Sequence, residues 1–344
     1  MVLITGASGF VGSHLAPALV REGWSLRRVV RSQDSVDKDS VDKDSVDKVL
    51  VDKDSVDRTL VDKTLGDEVV IRSIGPETDW RAALAGVDAV VHLAARVHLK
   101  HREQAVQLYR DVNTAGTLHL ARSAAMAGVR QFVFVSTVHV NGRSNDGRAP
   151  FSENDVPTPC GPYGMSKAEA EAGLRTLAPD SNMKVSVIRP PLVYGKGAKG
   201  NFALLTRAVK LGLPLPFASI HNRRAFLAVQ NLSSFILWQL SHPDPASQFE
   251  IFLVADKEQV STPEFIERIA SAVGKRPRLF GVPPELLGRL LKVIGRLDAH
   301  DGLLGSLEID VSKAVSTGWQ PDVSLDEGLR LALAAWDTSN EKYR

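Results

Sequence analysis

The 344-residue sequence predicts a doubly wound α/β fold with a smaller C-terminal lobe for substrate. Three observations predict it. Through residue 190, short apolar runs alternate with longer segments whose apolar residues recur at helical spacing. A glycine-spaced turn, Gly6-Ala7-Ser8-Gly9-Phe10-Val11-Gly12, stands directly after the first of those runs. Past Arg189 the texture changes to loops punctuated by Pro190, Pro191, Gly195, Gly197 and Gly200, followed by separate amphipathic helices.

The apolar runs at 2–4, 26–30, 69–72, 89–93, 132–136 and 185–189 are the predicted strands, and 12–22 and 113–127 are helices between them. Near-continuous Val, Ile and Leu runs separated by helices argue for a parallel, Rossmann-like sheet covered on both faces. Residues 1–190 thus read as a dinucleotide-binding domain and 191–344 mainly as the substrate-binding lobe, with helices at 263–273 and 325–336. One stretch breaks the pattern. Residues 34–68 are tandem five-residue units: DSVDK three times, then VLVDK, DSVDR, TLVDK and TLGDE. A period of five matches neither the helical 3.6 nor the strand 2, so the apolar positions drift around any regular element. The insertion reads as a well-solvated surface excursion after the second strand, in preference to an interaction element.

Charge is balanced, with 42 basic and 40 acidic residues interspersed, which leaves no broad basic field for a nucleic acid. Small charged metabolites fit better. A single cysteine, Cys160, excludes an internal disulfide and a Cys-rich zinc site and favours a reducing compartment, so a cytoplasmic location is expected. A strand from Val2 leaves no room for a charged leader, and no apolar run approaches the length an integral membrane span needs. His92, His98 and His101 lack a suitably spaced carboxylate, so no metal site is expected. The stretch 286–297 is amphipathic and basic, and it reads as a helix packed on its own domain more readily than as one lying on an anionic membrane.

In the glycine turn, Gly6 permits the sharp bend, Gly9 lets backbone approach a pyrophosphate, and Gly12 allows close helix-on-sheet packing. The helix that follows offers amide donors and the positive end of its dipole. The spacing is Gly-x-x-Gly-x-x-Gly, not the commoner Gly-x-Gly-x-x-Gly. An acid at the tip of the second strand would bind a ribose 2′-hydroxyl, but here stand Arg31 and Ser32, with Arg28 on the same strand. That favours NADP(H) over NAD(H), because an arginine accommodates a 2′-phosphate. Arg31 stacking on adenine or facing water is the alternative.

Tyr163 and Lys167 lie four apart on a helix, hence on one face, so an ammonium can stand beside a phenol. Its charge favours phenolate and makes Tyr163 a usable acid/base, while Thr137, at the end of the fifth predicted strand, can hydrogen-bond the same substrate oxygen.

With TGASGFVG at 5–12, VVHLAA at 90–95, Asn113 before Gly116-Thr117, FVFVST at 132–137, YGMSK at 163–167, RPPLVYG at 189–195 and DVSKA at 310–314, the chain resembles the extended short-chain dehydrogenase/reductases. That group includes nucleotide-sugar epimerases, dehydratases and 4-keto reductases. The resemblance covers nearly all of residues 1–336 apart from the repeat. It implies that Gly6, Ser8, Gly9, Phe10, Val11 and Gly12 hold the cofactor, with Arg31, Leu93, Ala94, Ala95, Asn113 and Pro190 around it. It implies a catalytic group of Thr137, Tyr163 and Lys167, the lysine also holding the nicotinamide ribose. Substrate would meet Thr137, Asn201 and Arg224 through its phosphates and oxygens, and Phe217 near its nucleobase.

The departures fall where the best-known 4-epimerases are defined. The family's Gly-Asp is Gly75-Pro76, a Val-Tyr-Gly tyrosine is Asn141, an asparagine after the Arg-Pro pair is Leu192, and a late Arg-Pro-Gly-Asp is replaced by Leu303-Leu304-Gly305-Ser306. The expectation is a 4-keto reductase of a hexose or N-acetylamino-hexose nucleotide, using NADPH with Tyr163 as proton donor. The alternative is a UDP-sugar 4-epimerase with bound NAD. A dehydratase is disfavoured because Val138, not an acidic pair, follows Thr137. A non-catalytic dinucleotide sensor is the reading from another class, and the intact Thr137, Tyr163 and Lys167 argue against it. A two-helix face over 113–127 and 166–178 suits a symmetric homodimer.

Overall fold

The computed structural model describes residues 1–31, 66–97, 103–293 and 302–334; the repeat lies outside these except for its last three residues. Seven strands form the main sheet: β1 (Val2–Thr5), β2 (Leu26–Arg31), β3 (Asp67–Ile71), β4 (Ala89–His92), β5 (Gln131–Val135), β6 (Lys184–Arg189) and, after three short strands, β10 (Phe249–Leu253). Their order is β10-β6-β5-β4-β1-β2-β3. The pairs from β3 through β5 are parallel, and the strand order reverses between β1 and β4. That reversal is the point where open α/β sheets bind ligands, outside the carboxyl ends of the strands.

The short strands are β7 (Leu192–Tyr194), β8 (Pro214–Leu215), β9 (Phe226–Ala228) and β11 (Arg278–Leu279), in two small ribbons, β7 with β9 and β8 with β11. Helices α1 (Phe10–Arg21), α2 (Arg81–Leu84), α3 (Glu103–Tyr109), α4 (Thr117–Met126) and α5 (Gly161–Leu177) belong to the N-terminal half. Helices α6 (Asn201–Lys210), α7 (Val229–Ser241), α8 (Thr262–Ala272), α9 (Pro284–Val293), α10 (Ser312–Ser316) and α11 (Leu325–Leu333) follow.

Six predicted strands appear within two residues of their expected ends, and β10 is one the sequence reading lacks. Its FEIFL is short, and the charge at its second position disguises it: Glu250 pairs with Lys313 at 3.3 Å while Ile251, Phe252 and Leu253 are buried. The predicted helix from residue 113 also differs. Arg110–Gly116 is a π-helical turn joining α3 to α4.

The chain divides into two units, one of residues 1–134, 169–186 and 243–249, the other of 135–168, 187–242 and 250–344. In the first, Val2, Leu3, Ile4, Val90, Val91 and Phe132 are completely buried, as a sheet covered on both faces requires. Burying each such side chain contributes about 1.5–3 kcal/mol. Gly66, with φ +90°, places its α-carbon so close to the Leu26 carbonyl that a Cβ would lie 2.1 Å from the oxygen; it fixes where the chain re-enters beside β2. In the second unit the core is aromatic, with Phe226 stacked on Phe265 at 3.8 Å and Tyr194 and Phe202 beside them. Helix α8 opens with a reciprocal capping box between Ser261 and Glu264.

Candidate active site

The glycine turn closes directly on the sheet. Gly6 has φ +73°, and a Cβ there would stand 2.8 Å from the Ala94 amide nitrogen, so the bend and the end of β4 touch through backbone. Gly12 is closer still, its absent Cβ 2.3 Å from the Gly6 carbonyl oxygen. The Gly9 amide donates to Gly6 O at 3.0 Å. Gly9 caps α1 without a side chain, and the first turn of α1 carries no acid. Ser8 and Gly9 are exposed, while Phe10 and Val11 are half-buried. A backbone cradle that any side chain would fill, opening on uncapped helical amides, fits the diphosphate of a dinucleotide.

A buried hydrogen-bonded chain holds this cradle, and its polarity can be assigned. Thr5, His92, Asn113 and Thr117 are each 0% exposed. The Thr117 hydroxyl donates to the Asn113 carbonyl at 2.7 Å, so its oxygen must accept from His92 Nε2, 2.9 Å away. The Nε2–H tautomer of His92 then satisfies every group in the chain, with Nδ1 accepting the Thr5 hydroxyl at 2.6 Å. Thr5 Oγ1 in turn accepts the Ala94 amide at 3.3 Å. Thr5 and His92 are register partners on β1 and β4, and Phe134 stacks on the imidazole at 5.8 Å. Asn113 itself grips the chain after β4 twice: Oδ1 accepts the Arg96 amide at 2.8 Å and Nδ2 donates to the Arg96 carbonyl at 3.0 Å. Leu93, Ala94 and Ala95 are half-buried between these anchors.

At the tip of β2, Arg31 is exposed, in register with Ile71. Arg28 is turned to Glu68 on the neighbouring strand, at 2.9 Å, rather than towards the tip. The proline of Gly75-Pro76 lies within a loop closed by Thr78, whose hydroxyl oxygen accepts the Gly75 amide at 2.9 Å.

In the second unit, Thr137 ends the fifth strand's course and caps a 3-10 turn, Val138–Val140, its oxygen accepting the His139 amide at 3.3 Å. The Val138 amide donates to the Pro190 carbonyl at 3.0 Å, which ties buried Pro190 to the same turn. Helix α5 comes down on it: a Cβ at Gly164 would lie 3.1 Å from the His139 carbonyl oxygen. Thus Thr137 and Tyr163 stand on elements in backbone contact, and Gly164 is what lets them approach. Tyr163 is half-buried, and Lys167, one turn on, is 1% exposed with Nζ donating to the Val135 carbonyl at 2.8 Å. An ammonium that deep is retained by such a fixed acceptor. The residue at the family's tyrosine position, Asn141, is 1% exposed and accepts from Arg189 Nη1 at 2.9 Å, so it is structural in this chain.

The substrate-lobe residues gather on the 302–306 loop. Asn201, first residue of α6, lies against Gly302, whose Cβ would meet Asn201 Nδ2 at 2.9 Å. Arg224, 7% exposed, donates through Nη1 to the Gly305 carbonyl, and Asn222 Nδ2 donates to the same carbonyl at 3.0 Å. Asp146 accepts the Ser306 amide at 2.7 Å. Burial alone would raise the Asp146 carboxyl, but hydrogen bonds from Ser144 and Ser306 and the Arg224 charge hold it below the usual carboxylate range. Phe217 is 7% exposed and belongs to the lobe's hydrophobic core, against which Leu303 and Leu304 of the same loop pack. Among the described residues no group of three or more His, Cys, Asp or Glu could hold a metal, and His98 and His101 lie outside them. Among the same residues no helix is long and apolar enough to cross a membrane.

Sequence reasoning missed the Thr5–His92–Thr117 chain. Its signal was present, as one polar residue at the end of each of two otherwise apolar strands.

Residues 2–255 match the sequence model of the NAD dependent epimerase/dehydratase family. The chain is 37% identical over 346 residues to a UDP-glucose 4-epimerase of Vibrio cholerae, covering 99% of this chain and 97% of that one. It is 25% identical over 350 residues to a GDP-6-deoxy-D-mannose reductase of Pseudomonas aeruginosa, covering 98% and 97%. Among solved structures, MoeE5 in complex with UDP-glucose and NAD superposes with a TM-score of 0.69 at 25% identity, covering 97% of both chains.

Proposed function

This chain belongs to the NAD dependent epimerase/dehydratase family, and from that premise we propose that it is a nicotinamide-dependent enzyme acting at C4 of a nucleoside-diphosphate hexose or N-acetylamino-hexose, as a UDP-sugar 4-epimerase. The observation that carries the reading is Tyr163 and buried Lys167 one turn apart on α5, with Thr137 on the turn that α5 touches at Gly164. The dinucleotide supplies a hydride acceptor and donor. With a dinucleotide bound, Thr137 would orient the sugar 4-oxygen, and Tyr163 would take its proton on oxidation at C4 and return it on reduction. The Lys167 charge favours the phenolate. Asn201 and Arg224 are suited to the substrate diphosphate, Arg224 as a guanidinium held by backbone.

The 37% identity to a UDP-glucose 4-epimerase over the whole chain supports epimerisation. A second reading is the single 4-keto reduction expected from the sequence, with NADP(H). It is favoured by exposed Arg31 at the tip of β2, where the sequence places Arg31-Ser32 and no acid, and by the likeness to a GDP-6-deoxy-D-mannose reductase.

Identifying the nucleotide released on denaturing the purified protein separates the two. Retained NAD with interconversion of UDP-glucose and UDP-galactose, or of their N-acetylamino counterparts, supports the epimerase. An empty protein that consumes NADPH only with a 4-keto sugar supports the reductase. Tyr163→Phe is expected to lower turnover by about 10²–10⁴-fold in either case. No turnover with any of these sugars would overturn both.

A further inference from the structure

The face carrying the β8–β11 ribbon has no part in the chemistry above, yet it gathers exposed apolar side chains among cations. β11 pairs with β8, Arg278 opposite Pro214 and Leu279 opposite Leu215. Alongside, Arg278 Nη1 donates to the Gly212 carbonyl at 3.4 Å, and Lys275 Nζ reaches the Lys210 carbonyl. The segments 210–215 and 275–280 therefore run side by side. They hold Leu211, Leu213 and Phe280 in water at 63, 48 and 46% exposure. On α6 and its C-cap the outward stripe is Leu204, Arg207 and Leu211, opposite the buried Phe202, Leu205 and Val209. On α9, Leu286 is 59% exposed while its neighbour Leu287 is buried in the same core as Val209 and Phe217.

Charge on this face is one-sided. Residues 201–220 and 270–289 contain six basic side chains and one acidic, Glu285, in a chain whose net charge is only +2. Among the described residues no acidic side chain pairs with Arg207, Lys275, Arg276 or Arg278. Scattered large apolar side chains in a field of cations match a surface that is apolar beneath and anionic at its boundary.

We propose that this face docks the enzyme on an anionic lipid bilayer, with Leu213, Phe280 and Leu286 entering the headgroup boundary and the cations meeting lipid phosphates. Stable peripheral binding needs both signals, apolar burial and charge, and both are present on this face. A second copy of the chain suits it less, because a twofold pairing would bring two cationic faces together.

Flotation of the full chain with vesicles tests this. Binding is expected to vesicles of phosphatidylglycerol and phosphatidylethanolamine, not to phosphatidylcholine alone, and to weaken with salt. Arg276→Glu with Arg278→Glu should weaken binding by at least about 25-fold, taking about five-fold for each cation at a charged surface. Phe280→Ser with Leu213→Ser should weaken it at unchanged charge. All variants should keep wild-type turnover of soluble nucleotide sugar, which reports an intact fold. No binding to anionic vesicles at low salt would overturn the proposal. So would binding indifferent to either pair of substitutions, or a change in oligomeric mass with Phe280→Ser, which would show the face covered by another copy.

Discussion

His92 is the residue whose surroundings say most about how the cofactor turn is held. Each hydrogen in the chain from Asn113 to Ala94 has a single direction, because Thr117 spends its only proton on a carbonyl. Thr5→Val keeps the shape of the side chain but removes the acceptor for the Ala94 amide and the donor for His92 Nδ1. Leaving buried polar groups unsatisfied costs about 1–3 kcal/mol, and the same loss is expected here in urea unfolding. Because the freed Ala94 amide lies against Gly6, dinucleotide affinity should fall too, as read by fluorescence titration. Unchanged affinity would make the chain merely a core network. Gly6, Gly9 and Gly12 were legible in the sequence because backbone contacts at a tight turn permit only glycine. The role of His92 was not, since a tautomer is set by partners 25 and 87 residues away.

Among the elements, the π-turn over Arg110–Gly116 is where local sequence and structure part company. RDVNTAG reads as ordinary helix, and nothing in its composition announces an i→i+5 turn. The turn is a tertiary product. It carries Asn113 to the Arg96 backbone, while Gly116 lets the helix close on Ile74, whose Cγ2 would be 2.9 Å from a Cβ. Asn113→Asp would set a carboxylate oxygen against the Arg96 carbonyl. A loss of about 1–3 kcal/mol is expected, with faster hydrogen exchange at the Arg96 amide; protection equal to wild type would refute the assignment. Helix α5, by contrast, was legible from Tyr163 and Lys167 at spacing four, and the six predicted strands from their apolar runs. β10 escaped notice because Glu250 finds Lys313, a partner 63 positions on, which no local pattern contains. Phe217 was placed near the nucleobase by resemblance alone; it is buried in the same core as Phe202, Phe226 and Phe265.

For the whole molecule, titration pulls in two directions. The Ser261 amide and hydroxyl hold Glu264 below the carboxylate range, and the Ser312 hydroxyl and amide hold Asp310 there. These groups stabilise the fold above the ordinary carboxylate pKa, and that contribution is lost as pH falls through their lowered values. Asp256 does the opposite. Burial raises its carboxyl, outweighing hydrogen bonds from the Ala228 amide, Asn231 and Tyr194. Its contribution is complete below about pH 4, the unfolded carboxylate value, and declines as pH rises through the raised one. Asp256→Asn removes that titration, so the stability of wild type relative to the variant should fall as pH rises above the unfolded carboxylate value, read by urea unfolding; a difference constant with pH would refute it. The re-entry point at Gly66 has a different consequence. Because β2 and β3 are parallel neighbours, the chain leaving Arg31 must travel back to the other end of the sheet, about 16 Å for five residues of strand. Only that span is prescribed, since both its ends are pinned by strand register and by the Gly66–Leu26 contact. The strand register therefore fixes the last unit of the pentapeptide array, which supplies Gly66, Asp67 and Glu68, and sets no number for the units before it: adding or deleting one whole unit should leave the β2–β3 pairing as it is.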